Sequence, residues 1–398
     1  MRQSLLFGDI MTALLLIVIY IAFISLGLPD SLFGCAWPVM QLDFNVPLSY
    51  AGAVTMTIAF GTVISSVFSD RLTKKFGTSV VTVFSVFLTV IALLGFSMSD
   101  AYYKLFIWAV PYGLGAGAID AALNNYVAVH YASRYMNWLH CFWGAGAMIS
   151  PYIMGHFLSQ NGNWHKGYSS VGLIQAAILV ILIASLPLWK KVAANEEAGS
   201  EKQRETLKIR DVIKIKGVKF VFLGMFAYCS LEATAFAWTS SFFVSGKGLS
   251  PDTAARYAAL FYIGITVGRL LCGFVSDRLG DYKIIGIGLA LIAGGIITLL
   301  FADSNIFCLI GILTAGIGCA PVYPALIHIT PTTFGEDKSQ SIVGLQMASA
   351  YIGSTFMPPV FGLIANSISI SLFPVFLGVF GVLTAVTVMM LLSSTKKA

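Results

Sequence analysis

Apolar residues run through this chain in blocks of about twenty, separated by short polar clusters. A helix needs about 20 mainly apolar residues to cross the hydrocarbon core of a bilayer. Twelve blocks reach that length, at residues 10–38, 48–69, 78–98, 104–130, 135–159, 168–189, 217–245, 252–275, 283–302, 305–329, 339–364 and 371–392. The pattern therefore predicts an all-α membrane protein with twelve transmembrane helices. The connections are short except for residues 190–216, which are dense in both charges. This stretch divides the chain into a six-helix bundle over 1–189, a cytoplasmic linker over 190–216 and a second six-helix bundle over 217–398. The end of the linker, from Thr206 to Lys216, is patterned as a short amphipathic helix lying on the membrane surface. The first apolar block is too long for a signal peptide and has no small-residue cleavage site, so it is expected to remain as a span.

Composition narrows the picture. Hydrophobic residues make up 57% of the chain and charged residues 11%, against about 25% charged in a soluble domain. The net charge of +6 does not point to nucleic acid, because the basic residues sit in alternate loops. One side carries Arg2, Arg71, Lys74, Lys75, Arg134, the linker cations, Arg278, Lys283, Lys338, Lys396 and Lys397. The other carries only Lys104, Lys166, Lys247 and Arg256. The positive-inside rule then places both termini and the linker in the cytoplasm, in an inner-membrane, multi-pass topology. The six cysteines have no ligand spacing and read as small packing residues. A metalloprotease HExxH, a nucleophile elbow and a phosphate-binding loop are all missing from the sequence. These observations argue against an enzyme, a metal, a cofactor or ATP as the energy source. The expected partners are lipid and a small solute, with the chain a monomer.

The chain also repeats itself. Ser-Asp-Arg-Leu at 69–72 recurs at 276–279, so Asp70 matches Asp277 and Arg71 matches Arg278, 207 residues on. At the same offset Gly61 matches Gly268, Pro151 matches Pro358 and Gly155 matches Gly362. Twelve spans, a 6+6 repeat, a charged central linker and an acidic-basic loop after spans 2 and 8 resemble the major facilitator superfamily. The family's loop pattern is roughly G-x-x-x-D-R-x-G-R-K. The second copy fits from Gly273; the first departs from it at Ser66 and Thr73. The resemblance implies two pseudo-symmetric six-helix bundles and a cytoplasmic gate built on Asp70, Arg71, Asp277 and Arg278. In that gate the aspartate lies near a helix N-terminus, where the dipole favours it. Arg269, in span 8, is expected to support the gate. In such a fold the solute binds near the membrane midplane and the halves rock around it.

Polar residues within spans are the candidates for chemistry, since a charge at mid-depth costs at least about 2.5–3.5 kcal/mol on insertion scales. Asp120 and Asn124 in span 4 are four residues apart and share a helix face, with Asn125 beside them. Asp30 in span 1 follows Pro29, which predicts a break in the helix. The stretches 27–38 and 113–126 resemble the fucose:proton symporter family, whose span 1 and span 4 each carry an acid. Asp120 stands where that family has glutamate, Asn124 matches its asparagine, and Asn125 replaces a proline. The resemblance implies that Asp120 takes the proton and that Asp30 engages both solute and proton. It also points to Asn137 and His140 in span 5 as solute contacts. Glu232 in span 7 is a second titrating site or a partner of Arg269. Tyr228, Trp238, Tyr323, Gln346 and Tyr351 are candidates for lining the site, since rings stack on sugar C–H faces while amides bond hydroxyls. The bland alternative for each is packing. His156, His165 and His328 are given no role. The expected function is proton-coupled symport of a monosaccharide or similar small polar solute by alternating access; the alternative is a proton-driven drug or sugar efflux antiporter.

Overall fold

The computed structural model describes residues 2–47, 50–159, 163–197, 207–249, 251–301 and 304–395. The side chains of Arg2, Asp252, Asp303, Lys396 and Lys397, and the middle of the linker, lie outside the described residues. All described regular structure is helical. In chain order the helices are α1 (Arg2–Asp30), α2 (Leu32–Asp43), α3 (Ala51–Phe76), α4 (Thr78–Ser97), α5 (Tyr102–His130), α6 (Ser133–Leu158), α7 (Trp164–Ala184) and α8 (Leu186–Glu197). They continue as α9 (Ile209–Lys214), α10 (Val218–Ser241), α11 (Pro251–Leu279), α12 (Asp281–Leu300), α13 (Asn305–Cys319), α14 (Val322–Phe334), α15 (Glu336–Ser367) and α16 (Phe373–Thr395).

Eleven helical stretches among the described residues are long and apolar enough to cross a membrane. The expected span 5 is the exception. It forms α6, 26 residues long, but Arg134, Asn137 and His140 in its first half dilute its apolar character. The polar content that lowers α6 as a span is what makes it interesting as a site.

Two spans are interrupted and a third ends in a π-helical turn. Span 1 breaks at Ser31, between α1 and α2, directly after Pro29 and Asp30. Span 10 breaks between α13 and α14 at Ala320–Pro321. Span 7 ends in a single π-helical turn over Phe242–Gly246. Non-helical backbone at membrane depth is tolerated only where protein or a water-filled cavity satisfies it, so such breaks mark functional regions.

The described chain forms two compact units. One comprises Met1–Tyr126 and Phe142–Thr206; the other comprises Val127–Cys141 and Leu207–Ala398. Close helix packing in each rests on small residues, as expected where lipid removes the hydrophobic drive between helices. In the first unit Gly61 of α3 lies 3.3 Å, at its missing Cβ, from the Cα of Gly113 on α5. In the second, Gly268 of α11 meets Ala320, which stands 207 residues beyond Gly113. The internal repeat is therefore a repeat of helix contacts as well as of letters. The linker's last turn, α9, docks through Val212, which is buried with Val218 and Ile342, while Ile209 and Ile213 stay exposed.

Candidate functional site

Asp30 sits at the α1–α2 break, and its two carboxylate oxygens have different partners. Tyr112 of α5 donates its hydroxyl to Oδ1 at 2.8 Å. Trp143 of α6 donates its indole Nε1–H to Oδ2 at 2.9 Å. Tyr112 is buried, while Asp30 keeps an exposed surface. A close helix contact brings Trp143 within reach. Gly27 lies against the Trp143 carbonyl and Gly146 against the Ile24 carbonyl, and a Cβ at either would collide with that backbone. Neither partner of Asp30 carries a charge.

Asp120 is on the same unit but more enclosed, with 5% of its surface exposed. The Asn124 carboxamide donates to its Oδ1 at 2.7 Å and to its backbone carbonyl at 3.0 Å. Gly113 and Gly117, about two turns and one turn earlier on this helix, press on the α3 backbone at Ile58 and Thr62. Asn125 is buried, and its Oδ1 has no hydrogen-bond partner among the described residues.

The second unit holds a different kind of acid. Glu232 of α10 is paired with Arg269 of α11, Oε1 to Nη2 at 3.2 Å, with both side chains largely buried. The Tyr228 side chain, one turn before Glu232, also bonds within this pair, and its hydroxyl lies 2.8 Å from the Cys319 carbonyl it donates to. Tyr323 of α14 is edge-on to the His140 ring, with centroids 4.9 Å apart, and 6.3 Å from the Tyr228 ring. Asn137, one turn before His140, donates to the Ser133 carbonyl at 3.1 Å and leaves a buried Oδ1 with no partner among the described residues.

Residues 19–259 and 220–398 match the sequence profile of the Major Facilitator Superfamily. The chain belongs to that superfamily. It is a transporter and not an enzyme. It is 24% identical to Bypass of stop codon protein 6 of Saccharomyces cerevisiae, covering 89% of this chain and 77% of that protein. It is 23% identical to the glucose/mannose transporter GlcP of Bacillus subtilis, covering 72% of this chain and 71% of that one. The fold is similar to that of the E. coli fucose:proton symporter FucP, with a TM-score of 0.72 at 16% identity over 94% of this chain and 98% of that one.

The superfamily loop after span 8 is built as a double latch. Asp277 accepts the Arg134 backbone N–H at 3.0 Å on Oδ1 and pairs with Arg134 Nε at 2.9 Å on Oδ2. It thus sits at the first turn of α6, where free N–H groups and the helix dipole favour an anion. Asp281 accepts the Ser133 hydroxyl at 2.5 Å and meets His328 Nδ1 at 2.7 Å. His328 Nε2 faces the Tyr131 carbonyl at 3.0 Å. Both acceptors lack a proton to give, so the imidazolium is the form that satisfies both contacts. In the first copy Asp70 is buried, and Arg71 lies exposed over the Phe68 ring at 5.4 Å. Arg278 is exposed.

Other residues picked from the sequence take structural places. Gln346 is fully buried, accepts from Thr330 at 2.9 Å and donates to the Leu326 carbonyl at 3.0 Å. Its amide therefore ties α15 to α14 instead of facing a solute. Trp238 donates to the Pro358 carbonyl at 2.9 Å and meets Phe361 edge-on, which joins α10 to α15. Tyr351 is half-buried on α15. Sequence reasoning passed over Tyr112, Trp143, Ser133, Asp281 and His328. Aromatics in an apolar span read as packing, and His328 reads as a span-end histidine.

Proposed function

We propose that the protein couples movement of a monosaccharide, or a similar small polar solute, to protons by symport and alternating access. The observation that carries this reading is Asp30, an exposed carboxylate at a helix break in the membrane, held by two neutral donors and, among the described residues, by no cation. Such a group is stable as an ion yet has no fixed positive charge opposing its protonation. Asp120 beside Asn124 is the second carboxylate of the coupling path, and Glu232 responds through Arg269. The free carbonyl oxygens of Asn125 and Asn137 are acceptors for solute hydroxyls, which must donate when they leave water. His140, Tyr228 and Tyr323 add ring faces. The loops with Asp70, Arg71, Asp277 and Arg278, and Arg269 in α11, form the gate. GlcP and FucP, whose names carry sugars and in one case protons, support this reading. We place both termini and the 190–216 linker in the cytoplasm on the charge bias of the loops, with the chain acting as a monomer in two six-helix domains.

The test is reconstitution in sodium-free liposomes with an external pH dye, followed by addition of hexoses, pentoses and polyols one at a time. External alkalinisation on adding one of them, lost in Asp30→Asn while solute counterflow persists, is the expected result. No response across the panel, together with expulsion of cationic dyes under an imposed pH gradient, overturns symport in favour of efflux.

A further inference from the structure

The partners of Asp30 differ in a way that chemistry can use. An indole N–H donates and has no lone pair to accept with; a phenol hydroxyl does both. Trp143, on Oδ2, can therefore serve only the ionised carboxylate or the carbonyl oxygen of the acid. Tyr112, on Oδ1, can donate to the carboxylate and, after its hydroxyl turns, accept from the acid.

Resting on the symport reading, we propose that Tyr112 and Trp143 are positioning residues that make Oδ1 of Asp30 the proton-carrying oxygen. In the loading step a hydronium ion gives its proton to Oδ1: one hydronium O–H bond breaks, the Oδ1–H bond forms and a water molecule is left. The Tyr112 hydroxyl changes from donor to acceptor of that proton, and Oδ2 remains the acceptor of the Trp143 N–H. No other covalent bond is made or broken, and release reverses the step. Once turned, the Tyr112 hydrogen needs a new acceptor. The buried Tyr168 hydroxyl on α7 has no hydrogen-bond partner among the described residues and can take that role. The group acting on Asp30 from α5 is Tyr112 and from α6 is the uncharged Trp143. Among the described residues no charged side chain is a partner of Asp30. The carboxylate is thus read by two neutral side chains on two helices, and only one of them can follow its proton.

The two donors make unequal predictions for proteoliposome uptake against external pH. Trp143→Phe removes a bond that is stronger to the ionised oxygen than to the neutral carbonyl of the acid, and so favours the ionised form. The pH of half-maximal uptake should then move alkaline by about 1 unit, as expected for losing one hydrogen bond to a charged group. Tyr112→Phe removes a partner that bonds both forms with comparable strength, donating to the carboxylate and accepting from the acid, so its midpoint should move by less than about half that amount while the maximal rate falls. Counterflow at fixed pH identifies variants that are folded and bind solute. Should a variant lose all transport, infrared titration of the carboxyl C=O band that disappears in Asp30→Asn gives the same two midpoints in detergent. Equal midpoint shifts in the two variants, or no shift in Trp143→Phe, overturn the inference. If the wild-type protein shows no solute-driven proton movement, it is the symport reading that falls instead.

Discussion

The two membrane-embedded acids of spans 1 and 7 face the same problem and meet it in opposite ways. Asp30 is exposed and held by a phenol and an indole. Glu232 is buried against the Arg269 guanidinium. A neutral donor stabilises a carboxylate modestly and lets it go when a proton arrives. A buried cation fixes it as an ion, because removing either charge strands the other in a medium that cannot solvate it. The comparison separates a carboxylate that a proton can neutralise without stranding a charge from an ion pair that links α10 to α11.

Stability measurements can break that distinction directly. Arg269→Met leaves Glu232 without its cation and should cost about 3–5 kcal/mol, the range for breaking one side of a buried pair. Much of that loss should return in Glu232→Gln/Arg269→Met, which strands no charge. Asp30→Asn forfeits about one hydrogen bond, roughly 1–2 kcal/mol, and abolishes solute-driven proton movement. Thermal unfolding of the four proteins in one detergent makes the comparison. A double variant no more stable than Arg269→Met would mean that the pair is not the reason for the loss. A larger loss in Asp30→Asn than in Arg269→Met would reverse the assignment of roles.

The next largest effect sharpens how the Asp30 site is held. A Cβ on Gly27 runs into the Trp143 carbonyl, whereas Gly34 has nothing within 4 Å of its added Cβ. Gly27→Ala should cost about 1–3 kcal/mol, the usual penalty of overpacking. It should also move α6 away from Asp30 and shift the pH of half-maximal uptake in the same direction as Trp143→Phe. Gly34→Ala lies in the same span and should be neutral or stabilising by up to about 1 kcal/mol, since alanine favours helix. Equal melting shifts for the two would remove the packing argument.

Much of this architecture is legible in the chain. The period and length of the apolar blocks place the helices, and Pro29 marks the break that the α1–α2 boundary realises at Ser31. The repeat at 207 residues names Gly61 and Gly268, which turn out to be contact points. An acid in a greasy block announces itself by its cost, which is why Asp30, Asp120 and Glu232 stand out. Their partners do not. Tyr112 lies 82 residues from Asp30 and Trp143 lies 113, and a ring in an apolar helix has the same periodicity whether it packs or donates. Gln346 shows the converse: a polar residue in a span looks functional until its amide is seen closed on Thr330 and Leu326. Sequence marks the groups that are expensive to bury; tertiary contact decides which groups offset that cost.

The smallest effect lies at Asp277, in the last turn of α11, which with Asp281 at the start of α12 repeats the contrast on a finer scale. Asp281 and His328 are enclosed, with side chains 15% and 13% exposed, while Asp277 and Arg134 are 32% and 47% exposed. Asp281→Asn should cost about 1.5–3 kcal/mol, as for a lost bond to a charged group. The Asp277–Arg134 ion pair is in reach of water and contributes about 0–1 kcal/mol; its remaining value is the bond to the Arg134 N–H at the start of α6. Added salt tells the two apart. Screening over a Debye length of about 3 Å at 1 M weakens exposed pairs and leaves enclosed ones nearly intact. The melting difference between wild type and Asp277→Asn should therefore shrink as salt rises from about 0.1 M to 1 M, and that for Asp281→Asn should hold. If both shrink together, water reaches the Asp281–His328 pair, and that latch is no more enclosed than its neighbour.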